Sequence, residues 1–79
     1  MDKSLATGAY RHFLTLLKEA RQQAGLTQVQ VADRLHETQS FVSKVERGER
    51  RLDVVEWLAW CEALGVDPHT FLRGFGAEG

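Results

Sequence analysis

TQVQVADRLHETQSFVSKVERG, residues 27–48, holds two short apolar patterns at helical spacing, with a polar break between them. Thr27 is placed to cap the first. Gln30, three residues on, completes a capping box, and Leu26 and Val31 stand at the spacing of a hydrophobic staple. Val31, Ala32 and Leu35 then face inward, and the segment ends near Leu35. After His36-Glu37-Thr38, Thr38 caps the second segment, leaving Gln39, Ser40 and Phe41 in its first turn. Val42 and Val45 are its inward residues, and Gly48 ends it.

Two helices of about eight to ten residues, joined by a turn of three or four, have the proportions of a helix-turn-helix unit. The flanking sequence is helical too. Tyr10, Phe13, Leu14, Leu17, Ala20 and Ala24 form one stripe on a helix expected from about Thr7 to Ala24, which Gly25 stops. Asp53 caps a fourth helix that runs to Leu64 with Gly65 as its stop; Val54, Trp57, Leu58, Cys61 and Leu64 form its stripe. Asp67-Pro68 opens a short fifth helix carrying Phe71 and Leu72. The expectation is a compact all-α domain of five helices over residues 1–79, with its core in about 9–73. The ends, 1–6 and 74–79, are expected to be loose.

At 79 residues the chain fits one small domain, whose modest core makes self-association a plausible second source of stability. Cys61 is the single cysteine, which fits a reducing compartment. His12, His36, His69 and Cys61 show no paired ligand spacing, so no metal is expected. No glycine-rich phosphate loop and no nucleophile–base set stands out, so neither a cofactor nor an enzyme activity has support. The N-terminus lacks the apolar run of a signal peptide. The most apolar segment, VVEWLAWCEALGV (54–66), is broken by Glu56 and Glu62, so no membrane span is expected and a cytoplasmic location is the default.

The net charge is −1, but it is unevenly spread. Residues 1–38 sum to +1, residues 39–51 to +2 through Lys44, Arg47, Arg50 and Arg51, and residues 52–79 to −4. A basic segment beside an acidic one can mark an anion-binding edge, although on charge alone a solvated charged face is the better reading.

Taken together, GLTQ (25–28), Ala32, QSFVSKVERG (39–48) and ALGV (63–66) make residues 21–66 resemble the lambda-repressor/Cro-like, or Xre, family of helix-turn-helix proteins. The resemblance implies sequence-specific binding of a double-stranded DNA operator by a repressor or autoregulator, with the helix at 39–47 in the major groove. Gln39, Ser40, Phe41 and Lys44 are then the candidate base contacts. Gln39 suits an adenine edge and Lys44 a guanine. Phe41 reads either as a contact to a thymine methyl or as a packing residue. Gln28, Ser43, Arg47, Arg50 and Arg51 are the candidate phosphate contacts. The resemblance also implies an ion pair, Arg21–Glu46, bracing the first helix against the third.

A homodimer is implied as well, and Trp60, Phe71, Leu72 and Phe75 are its candidate interface, the alternative being a packed core edge. A second reading is an antitoxin-type interaction module that holds a toxin or another regulator, with or without DNA. A controller of a restriction-modification locus is a special case of the first reading. Two departures stand in the turn. His36 occupies a position usually glycine, and Glu37 one usually apolar. His36 can still take the left-handed conformation at some cost in strain; otherwise the turn is expected to be looser or differently shaped.

Overall fold

The computed structural model describes residues 3–76, with side chains from residue 8 to residue 74. Five helices follow one another: α1 (Lys3–Gln23), α2 (Gln28–Leu35), α3 (Gln39–Glu46), α4 (Val54–Leu64) and α5 (Pro68–Gly76). No strand occurs among the described residues. α2 packs on α3 and α4, while α1 packs on α3 and α5. No helix among the described residues is long and apolar enough to cross a membrane.

The helix starts are set by local side chains. Thr27 Oγ1 accepts from the Gln30 N–H at 3.1 Å, and Gln30 Oε1 accepts from the Thr27 N–H at 2.9 Å. Thr38 Oγ1 accepts from the Phe41 N–H. α4 has a second capping box: the Glu56 N–H donates to Asp53 Oδ1, and the Asp53 N–H to Glu56 Oε1. Asp67 Oδ2 accepts from the Thr70 N–H at the start of α5. Each bond satisfies an N–H that the first helical turn leaves open.

The ends of α1 to α4 share one geometry. Gly25, His36, Gly48 and Gly65 have φ of +74°, +59°, +81° and +72°. The next residue donates back to the carbonyl five positions earlier: Leu26 to Arg21, Glu37 to Ala32, Glu49 to Lys44 and Val66 to Cys61, at 2.8–3.1 Å. His36 thus adopts the left-handed conformation that the sequence left open to it, and the alternative of a looser turn is corrected. The turn is as tightly hydrogen-bonded as the other three, because those bonds come from the backbone. The departure from glycine shows instead as left-handed strain on a β-carbon.

The buried cluster joins Leu17 of α1, Val31 and Ala32 of α2, Val42 and Val45 of α3, four residues of α4 (Trp57, Trp60, Cys61 and Leu64) and Phe71 of α5. α1 begins at Lys3, four residues before the expected start, because Lys3, Leu5 and Ala6 favour a helix and nothing breaks it before Gly8. Of the ends expected to be loose, residues 3–6 and 74–76 are helical; the others lie outside the described residues.

The phase of α4 also differs from expectation. Val54 and Leu58 are exposed, and Trp60 takes the inward place at 1% exposure. Positions 54, 57, 58, 61 and 64 and positions 57, 60, 61 and 64 both fit a helical stripe, and α4 is apolar on most of its circumference. Tertiary packing decides between them. Trp60 and Phe71, expected at a dimer face, are therefore corrected to core residues: each is buried within the single chain. Leu72 is exposed. The side chain of Phe75 lies outside the described residues.

Candidate nucleic-acid interface

With Val42 and Val45 fully buried beneath it, α3 turns Gln39, Ser40 and Lys44 outward, all exposed. Ser43 is half-buried beside them. The Lys44 side chain makes no hydrogen bond or ion pair among the described residues; its charge contributes to lowering the Glu49 carboxyl. Phe41 is half-buried. Its ring packs 6.0 Å from that of Trp60, and the Arg50 guanidinium lies 5.1 Å from its centroid. Phe41 thus takes the packing reading offered above, at the core edge.

Arg21 and Glu46 make a two-point pair, with Nε to Oε2 at 2.6 Å and Nη2 to Oε1 at 3.1 Å. The side chains retain only 11% and 4% exposure, so the pair is partly desolvated rather than a surface contact. Arg21 Nη1 also donates to the Leu26 carbonyl at 2.9 Å. The pair ties α1 and the α1–α2 turn to the last residue of α3.

The network continues to the exposed face. Gln28 Nε2 donates to Glu46 Oε1 at 2.9 Å, and Gln28 Oε1 accepts from Gln39 Nε2 at 2.7 Å. Its polarity has one source. A carboxylate only accepts, so Gln28 must turn its NH₂ to Glu46 and its oxygen to Gln39. Gln39 must then use its own NH₂ inward. One N–H and the carbonyl oxygen of Gln39 remain for a ligand. A Gln so held presents the donor and acceptor that an adenine edge requires.

The arginines expected to meet phosphate are already engaged. Arg47 Nε and Nη2 donate to Glu49 at 3.1 and 3.2 Å, and its Nη1 donates to Ser43 Oγ. Arg50 makes a two-point contact with Glu56 at 3.0 and 2.7 Å and donates to the Arg51 carbonyl. The Arg51 guanidinium lies 4.5 Å from the centre of the Tyr10 ring, whose hydroxyl accepts from the Leu52 N–H. Hydrogen bonding and charge from Arg47 hold the Glu49 carboxyl below its ordinary range. Glu56 is lowered by its hydrogen bond to Arg50, helped by the Asp53 N–H.

Sequence reasoning missed these acidic partners. Glu49 and Glu56 meet their arginines through the path of the loop, which no periodicity encodes. The chain from Glu46 through Gln28 to Gln39 was equally invisible, since it links residues 11 and 18 positions apart. The signal for Glu56 was its place three residues after Asp53.

The five helices and the face of α3 define a helix-turn-helix protein. A helix-turn-helix family model matches residues 17–71. Among solved structures, an XRE-family like protein from Pseudomonas syringae pv. tomato str. DC3000 is 46% identical, covering 96% of this chain and 93% of that one, with a TM-score of 0.90. The chain belongs to the XRE family of helix-turn-helix proteins, which by class makes it a DNA-binding transcription regulator.

Two more distant structures share the fold. The wild-type restriction-modification controller protein C.Esp1396I is 21% identical (89% of this chain, 91% of that one, TM-score 0.82). The clp gene regulator ClgR from C. glutamicum is 20% identical (89% and 91%, TM-score 0.77). No curated protein matches the sequence.

Proposed function

We propose that this chain is a repressor or autoregulator that binds a two-fold operator as a homodimer, with α3 in the major groove. The observation that carries the reading is the exposed trio of Gln39, Ser40 and Lys44, with Gln39 oriented through Gln28 from the nearly buried Glu46. Gln39 reads an adenine edge, Lys44 a guanine, and Ser40 donates or accepts beside them. Phe41 is not carried forward as a base reader. Gln28 and the open N–H groups at the start of α2 take a backbone phosphate.

The dimer surface is reassigned. Val54, Val55 and Leu58 on α4 and Leu72 on α5 are large apolar side chains left exposed, Val55 at 71%. They take the place of Trp60 and Phe71 as the face for a second subunit. Two-fold half-sites lie one turn of DNA, about 34 Å, apart.

The test is a gel shift with DNA from upstream of the protein's own gene, at near-physiological salt with excess non-specific competitor. Wild type is expected to be retained, and Gln39→Ala with Lys44→Ala to lose retention. No selected binding there would remove autoregulation, and failure in a random-site selection as well would remove operator binding.

A further inference from the structure

We infer that Glu49 is an intramolecular stand-in for a DNA phosphate: it occupies the Arg47 fork, keeps Arg47 out of the backbone contacts, and so sets how tightly this chain holds DNA. The inference rests on the DNA-binding reading and changes the role expected for Arg47.

A guanidinium fork grips a carboxylate and a phosphate in the same way, through two parallel N–H bonds. Here Nε and Nη2 of Arg47 hold the two oxygens of Glu49 at 3.1 and 3.2 Å, and Nη1 holds Ser43 Oγ. These bonds use three of the five guanidinium N–H groups, including the paired Nε–Nη2 edge that would grip a phosphate, and Ser43, another expected phosphate contact, accepts the third.

The carboxylate is also held in place. Gly48 turns the chain in the left-handed region, and the Glu49 N–H donates to the Lys44 carbonyl at 2.8 Å. The main chain of Glu49 is thereby fixed at the end of α3, where the Lys44 charge also favours its carboxylate. The depressed titration of Glu49 agrees, since it remains an anion throughout the physiological range.

The pair is exposed, at 54% and 56%, and exposed pairs are individually weak. A phosphate nonetheless meets two obstacles at Arg47: a ligand to displace, and the negative charge of that ligand left nearby. Glutamine at position 49 removes the charge and most of the grip while keeping the shape.

The experiment is a double-mutant cycle of wild type, Glu49→Gln, Arg47→Ala and the double variant. Each is titrated by fluorescence anisotropy with an arbitrary duplex of about 20 base pairs across a range of salt. Circular dichroism melts confirm that all four fold. Glu49→Gln is expected to bind roughly three- to tenfold tighter, with a steeper log–log salt dependence by about one phosphate per subunit. Arg47→Ala alone is expected to change affinity less than twofold, and the gain from Glu49→Gln is expected to disappear in its presence.

Equal affinities for wild type and Glu49→Gln would overturn the inference. So would a gain that persists undiminished without Arg47, since it would then be a general charge effect. Both results would leave the DNA reading standing. Failure of all four proteins to bind duplex at low salt would remove that reading and this inference with it.

Discussion

Gln28 Oε1 accepts a 2.7 Å hydrogen bond from Gln39 Nε2, so an exposed polar group at the start of α3 is oriented by a residue of α2. Replacing Gln28 with alanine leaves Gln39 free to rotate and removes a candidate phosphate contact. Operator affinity is expected to fall about tenfold, while stability changes by about 1 kcal/mol or less. Paired binding and thermal-melt measurements separate the two. A stability loss large enough to account for the binding loss would argue that Gln28 only supports the fold.

Arg21→Ala or Glu46→Ala leaves a partly buried charge without its partner. Each is expected to cost about 3 kcal/mol of stability. The double variant is expected to be more stable than the sum of the two losses predicts, by about 1–3 kcal/mol. Urea unfolding of the four proteins measures this coupling, and strict additivity would show that the two side chains act independently.

His36→Gly places the residue suited to φ +59° in the α2–α3 turn. Relief of left-handed strain outweighs the added freedom of the unfolded chain, and stability is expected to rise by about 0.5–1 kcal/mol. A lower melting temperature would mean that the His36 side chain contributes contacts worth more than the strain.

Leu58→Glu and Trp60→Ala distinguish the outer face of α4 from its core face. Leu58→Glu is expected to give a folded monomer by analytical ultracentrifugation. Trp60→Ala removes a side chain with 1% exposure, and a cost of about 3–5 kcal/mol is expected to unfold most of a chain this small. If Leu58→Glu remained dimeric, the interface would have to be sought elsewhere.

Burial, with a contribution from the Asp67 carboxylate, pushes the Cys61 thiol from 9.0 up to about 11. Between those values the unfolded chain has lost the thiol proton and the folded chain keeps it. The contribution is therefore fully present below pH 9 and is lost as the pH rises towards 11. The stability of wild type is expected to fall more steeply over that range than that of Cys61→Ala. Parallel profiles in chemical denaturation would refute the shift. Iodoacetamide at pH 8.5 is expected to label Cys61 only on unfolding.

The starts of α2 to α5 and the glycine stops of α1, α3 and α4 were legible in the sequence because a cap is a local affair. Thr27 with Gln30, Thr38, Asp53 and Asp67 each act within three residues, and Gly25, Gly48 and Gly65 act at one. The phase of α4 was not legible, since both of its possible stripes are apolar and only its neighbours choose between them. Of the candidate site, the residues facing outward from α3 followed from the burial of Val42 and Val45. The company kept by the arginines did not. Arg47 with Glu49, Arg50 with Glu56 and Arg51 over Tyr10 depend on how the loop after α3 folds back, and charge counting treats all three as available.

The four closed helix ends also bear on how quickly the subunit folds. Each stop bond reaches back five residues and each cap bond three, so the turns can form before distant parts of the chain meet. Helical proteins dominated by such near-neighbour contacts fold within roughly microseconds to milliseconds. A ribosome needs longer than that to add a single residue, at about 5–20 residues per second. Folding of the subunit therefore adds no delay after synthesis, and pairing of two subunits is the step left to depend on concentration.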